Sequence, residues 1–105
     1  MICAVFYKRD GSLYGFDVRG HAGSAAAGHD IVCAAVSSAV YLTANTLTEV
    51  CGCRAAVEEA NGHLKLTVER ADTEIAQQTL CGLQLHLQGL ADQYPSFIQL
   101  QQTEV

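Results

Sequence analysis

Residues 63–69 alternate without a break. Leu64, Leu66 and Val68 make one face, and His63, Lys65, Thr67 and Glu69 the other, the period of two that a strand with one buried side requires. Residues 54–60 precede this segment across Asn61-Gly62, so the two read as a hairpin. A similar pair opens the chain, where residues 2–8 and 12–19, rich in Val, Phe and Tyr, flank Asp10-Gly11. Elsewhere the period is helical. Val32, Val36, Ala39, Val40, Thr43 and Leu47 form one stripe over residues 31 to about 50. Asp30 stands where an N-cap belongs and Gly52 where the helix should stop. Ala76, Leu80, Leu83, Leu87 and Leu90 form a second stripe over residues 73–93, opposite glutamines, ended by Pro95. Residues 97–101 predict a last short strand, and residues 20–29, mostly Gly and Ala, a loop. The order β-β-α-β-β-α-β predicts an α+β fold of two layers: a mostly antiparallel sheet covered by two helices.

The chain has 105 residues, half of them apolar, with no linker, repeat or low-complexity tract. A single domain over 1–105 is expected, large enough for its own core. No apolar run approaches the roughly 20 residues of a bilayer span, so no membrane partner is expected. The first residues read as a strand and not a signal peptide, because no basic region precedes the apolar stretch. Five cysteines, an odd count, suggest reduced thiols and a cytoplasmic address. A net charge of −5 with six scattered basic residues argues against direct nucleic-acid binding and suits a basic peptide partner.

Charge and composition leave the chemistry open; one segment narrows it. His21 and Cys33 stand twelve positions apart across a glycine- and alanine-rich stretch. A thiol becomes a useful nucleophile as thiolate, which a helix start and a nearby imidazole both favour. Capped by Asp30, the expected helix would carry Cys33 in its first turn. The plain alternative is a core cysteine and a turn histidine, and spacing alone does not decide between them. His29, four positions before Cys33, is a rival base. Cys51-Gly52-Cys53 has one intervening residue and no second pair, so neither metal nor cofactor is expected. Cys51 and Cys53 read as loop residues without a role. Cys3 reads as packed in the first strand, Cys81 as lying beside the second helix's apolar face, and both as inert. His63 reads as outward-facing, and His86 as partly buried beside the leucine stripe.

The segment Gly20-His21-Ala22, five further residues, then Gly28-His29-Asp30-Ile31-Val32-Cys33-Ala34-Ala35-Val36-Ser37 closely resembles the signature of the ribosomal-processing cysteine protease family, Prp. The pattern fits without a gap. The resemblance implies a cytoplasmic, homodimeric cysteine endopeptidase. Its substrate would be the N-terminal extension of large-subunit ribosomal protein twenty-seven, cut after an aromatic residue. It makes Cys33 the nucleophile and His21, in preference to His29, the proton donor and acceptor. Asp30 and Ser37 also fall on motif positions and read as structural, with an orienting role for Asp30 toward His21 left open. Residues 23–27 lack the polar or aromatic side chains expected of relatives. On helix geometry, the N–H groups of Ile31 and Val32 are expected to stabilise an oxyanion. Gly20 and Gly28 are expected to act as hinges of the intervening loop. A non-catalytic ribosome-associated binding module of the same fold is the rival reading.

Overall fold

Asp10 and Gly11 both adopt positive φ, 54° and 79°, as a two-residue type I′ turn needs. They join β1 (Ile2–Arg9) to β2 (Ser12–Gly20). The computed structural model describes residues 1–20 and 27–105, apart from the side chains of 27–30. After β2 follow α1 (Ala27–Asn45), a π turn (Thr46–Val50), β3 (Ala55–Ala60), β4 (His63–Val68), α2 (Thr73–Gln93) and β5 (Ile98–Glu104). The sheet order is β3-β4-β2-β1-β5, antiparallel except for the β1–β5 pair. The expected α+β architecture and element order are therefore found. β5 runs to Glu104, longer than its apolar residues indicate, because it pairs with β1 from Ile2 to Lys8.

Both helices cover one face of the sheet. Val32, Val36, Val40, Thr43 and Leu47 from α1 and its π turn are buried, as are Ala76, Leu80, Leu83 and Leu87 from α2. They pack on Ile2, Ala4, Phe6, Phe16, Val18, Leu64, Leu66 and Val68 from the strands. Phe6 and Phe16, directly opposite in register, are both fully buried. Leu13 and Phe16 point the same way although three residues apart. Tyr14 is an extra residue there, since Tyr7 pairs with Gly15 while Lys8 pairs with Leu13, and this bulge restores the phase of the strand. The Leu13 main chain is instead bonded by α2: its N–H donates to Gln77 Oε1 at 3.0 Å, and its carbonyl accepts from Gln77 Nε2.

Two expectations about α1 are corrected. The helix begins at Ala27, so Asp30 lies inside it and is not the N-cap. By length and mean hydropathy (20 residues, 1.4), Ile31–Val50 also meets the requirements of a membrane span, contrary to the sequence reading. Its buried positions are those that fill the core. The last turn widens to π, with hydroxyls of Thr43, Thr46 and Thr48 donating to carbonyls four residues back at 2.7–3.0 Å, a competition that loosens helices. Gly52, at φ 67°, ends the run, and the Cys53 N–H returns to the Leu47 carbonyl at 2.9 Å.

Candidate active site

Cys33, Ser37 and Tyr41 follow one another at intervals of four, so they share a face of α1. That face borders a cavity of about 280 Å³. Its apolar walls are Ile2 and Val18 from β1 and β2, Val36 and Val40 from α1, and Leu64 from β4. The opposite rim is the β3–β4 turn, Ala60 to Gly62. Cys33 is half-buried, within reach of a molecule entering the cavity. Tyr41 is exposed, and its hydroxyl donates to the Glu59 carboxylate, tying α1 to β3.

His21 lies outside the described residues, as do residues 22–26 and the side chains of His29 and Asp30. Gly20, the residue before His21, is part of the cavity wall. It ends β2 at φ +101°, and its N–H donates to the Gly62 carbonyl at 2.9 Å. A side chain there would meet the Met1 carbonyl oxygen at 2.4 Å. Gly28 falls within α1, so residues 27–29 are helix and not the end of a loop or its hinge. The same early start moves Cys33 to the seventh position of α1, past the first turn where the macrodipole acts most strongly. Ile31 and Val32, fifth and sixth, have their N–H groups committed to carbonyls four residues back. The oxyanion role expected for them is corrected accordingly.

Sequence reasoning missed a polar cluster on the open face of the sheet. Asp17 is only 5% exposed. Its carboxylate accepts from Arg19 Nε at 3.1 Å and Arg19 Nη2 at 2.7 Å, and from the Tyr7 hydroxyl at 3.3 Å; His63 Nε2 lies 3.0 Å away. His63, expected to face outward without context, is thus half-buried, held by Asp17 and at the rim of the Cys33 cavity. It shares the open face with Lys65, whereas Cys33 stands on the helix side. The one available signal was an Asp between Phe16 and Val18 in a strand otherwise suited to burial.

Burial works to raise the Asp17 carboxyl, but Arg19 and His63 outweigh it and hold the group below the ordinary aspartate value. Burial and the Asp17 charge push the Tyr7 phenol up. A carboxyl depressed in the folded state stabilises the fold above its unfolded pKa, about 3.9. That contribution is lost as pH falls through the lower folded value. Asp17→Asn is expected to destabilise the fold at neutral pH by about 1–3 kcal/mol, with the deficit shrinking in acid. Urea melts of both proteins from pH 7 to 3 test this, and a pH-independent difference would sink it.

The other cysteines are not loop spectators alike. Cys53 is buried in the core, where burial followed by the Cys51 charge pushes its thiol up. Cys51 is half-buried and packs against that core. Cys3 is half-buried on β1, Cys81 exposed on α2. Among the described residues no cluster of His, Cys, Asp and Glu has metal-binding geometry. His86 is exposed and not partly buried, one residue short of the buried Leu87 position.

Comparisons with known proteins place this thiol-bearing α+β chain among the cysteine proteases. It belongs to the Prp family, whose sequence profile, described as cysteine protease Prp, matches residues 1–99. Among solved structures it is similar to SMU.848 from Streptococcus mutans, 30% identical with a TM-score of 0.84, covering 100% of this chain and 96% of that one. It is also similar to Prp from S. aureus, an essential ribosomal processing protease solved with a covalently linked product peptide. There the identity is 25% and the TM-score 0.87, covering 98% of this chain and 100% of that one. The same S. aureus protein with a substrate peptide superposes equally well, at 24% identity and TM-score 0.87 over the same shares, and supports the fold. Among curated proteins, none matches this chain.

Proposed function

We propose that this chain is a ribosomal processing endopeptidase that removes the N-terminal extension of large-subunit ribosomal protein twenty-seven. Cys33 is the nucleophile and His21 the proton donor and acceptor. The observation that carries the reading is Cys33, half-buried in the wall of a cavity with mixed apolar and polar lining, within a chain of the Prp family. The S. aureus relative, described as a ribosomal processing protease and linked covalently to a product peptide, supports the substrate class.

The chemistry follows from those roles. The Cys33 sulfur attacks the scissile carbonyl, His21 protonates the leaving amine, and water then releases the acyl group. The walls formed by Ile2, Val18, Val40 and Leu64 suit an aromatic side chain on the acyl side of the cut. An acidic chain attracts a basic ribosomal tail over a distance set by salt. The mechanism uses no cofactor, metal, nucleic acid or membrane, and five thiols suit the cytoplasm.

Two chains are proposed to associate as a homodimer. Leu42 on α1 and Leu85 on α2 are exposed, and a groove of about 550 Å³ lies between the two helices, lined by Leu42, Leu83 and His86 among others. Sedimentation is expected to give twice the 11.2 kDa chain mass; a monomer at micromolar concentration would remove the dimer.

The direct test is incubation of the reduced protein with a peptide spanning the extension and the start of the mature ribosomal protein. One cut after the aromatic residue is expected by mass spectrometry. Binding without a cut would favour the non-catalytic module.

A further inference from the structure

β3 is an edge strand whose outer side pairs with no strand among the described residues. Its sequence, Ala-Ala-Val-Glu-Glu-Ala, contains neither the Pro nor the Lys that commonly block an edge. All but Ala55 are exposed. The Glu69 N–H donates to the Arg54 carbonyl at 2.9 Å, while the Arg54 N–H turns to Asp72 Oδ2 at 2.9 Å, so residue 54 stands at a position bonded toward the β4 side. Carried along the antiparallel register, that parity commits the main chains of Ala56, Glu58 and Ala60 to β4. It turns the N–H and C=O groups of Val57 and Glu59 outward.

The same register fixes the side on which this edge lies. Val57 pairs with Leu66 and Glu59 with Leu64, both buried beneath the helices. Val57 and Glu59 therefore share the side of the sheet on which Cys33 stands, and the Tyr41–Glu59 contact confirms the placement. β3 runs toward Ala60, a rim residue of the Cys33 cavity. An extended chain laid along the edge is thus led into that cavity. β5, the other edge of the sheet, contributes no residue to it.

We propose that the substrate docks as a sixth strand on β3, its backbone pairing with Val57 and Glu59 and its basic side chains meeting Glu58 and Glu59. This deepens the protease reading and rests on it. Main-chain pairing along an edge supplies affinity with little demand on sequence, and the cavity then selects the residue at the cut. Charge favours this occupant. Lys65, 3.9 Å from Glu58, is the one cation that pairs with these carboxylates among the described residues, and Glu58 remains 70% exposed. Two copies of this chain meeting edge to edge would gather four glutamates, and like charges across strands repel.

The test uses the wild-type protein and a set of cleavable peptides, each N-methylated at one backbone position. Methylation removes one donor and adds bulk, so sensitivity should alternate. On the side of the cut that lies along β3, every second position should lose about tenfold or more in kcat/KM, with the intervening positions within about twofold. Val57→Pro removes one outward donor without touching the bonds to β4, and edge strands tolerate proline. It should raise KM about tenfold while circular dichroism stays unchanged; should it fail to fold, the methylation series decides alone. Flat sensitivity across positions, with the parent peptide still cut, overturns strand docking and leaves the protease reading intact. An uncut parent peptide overturns both. A wild-type dimer that Val57→Pro converts to monomer assigns the edge to a second copy and overturns the proposal.

Discussion

Cys33→Ala is expected to lower peptide turnover by at least about 10⁴-fold, the scale on which removing a covalent nucleophile acts. The loss cannot be blamed on folding. The residue is half-buried and small, and trimming one sulfur there should cost about 1 kcal/mol or less. Binding of the uncut peptide should survive, because the cavity walls are left as they are. His21→Ala is expected to cost roughly 10²–10⁴-fold, the range of general acid–base assistance. Alkylation separates the two roles: iodoacetamide should inactivate the wild type through Cys33, and His21→Ala should slow that reaction. The exposed Cys81 provides the control, since Cys81→Ala should leave turnover as it was. Wild-type turnover by Cys33→Ala would remove the sulfur from the mechanism.

Gly20→Val is expected to destabilise the fold by about 3 kcal/mol or more, since it adds both backbone strain and a clash. Gly20 sits at φ +101°, which side chains rarely adopt, and a Cβ would stand 2.4 Å from the Met1 carbonyl oxygen. That oxygen belongs to the chain beside it in the sheet and has nowhere cheap to go, because Ile2 pairs with Gly20 and is itself buried. The damage falls at the cavity, where the Gly20 N–H also holds the Gly62 carbonyl. Gly89 is the contrast. On α2, nothing lies within 4 Å of its added Cβ, so Gly89→Ala should stabilise by about 0.5–1 kcal/mol. Urea titration of the three proteins tests both signs. A neutral Gly20→Val would mean that the end of β2 is not held as described.

Local pattern was a good guide where each residue's fate depends on its near neighbours. The β4 alternation, the two helical stripes and the Asp10-Gly11 turn express periods of two and 3.6 and a need for positive φ, and all are present. Local pattern misled at the start of α1. Asp30 is a good capping residue, but Gly28 and His29 are helical and the helix begins at Ala27. A cap is a weak preference, worth about 1 kcal/mol, and the chain around it outweighs that. The β2 bulge was similarly hidden, although the Leu13-to-Phe16 spacing marks it in retrospect.

The sequence alone determined the order of elements, the helical and β4 residues that fill the core, and the Cys33 motif, because periodicity and chain-local spacing are written in one dimension. Tertiary structure decided the rest. It set Asp17, Arg19 and His63 together from two strands, drew Cys53 into the core, and left the outer edge of β3 running toward the cavity beside Cys33. Those are meetings of residues up to 46 positions apart. Only the register of the sheet brings them together, and register is fixed by packing over the whole molecule.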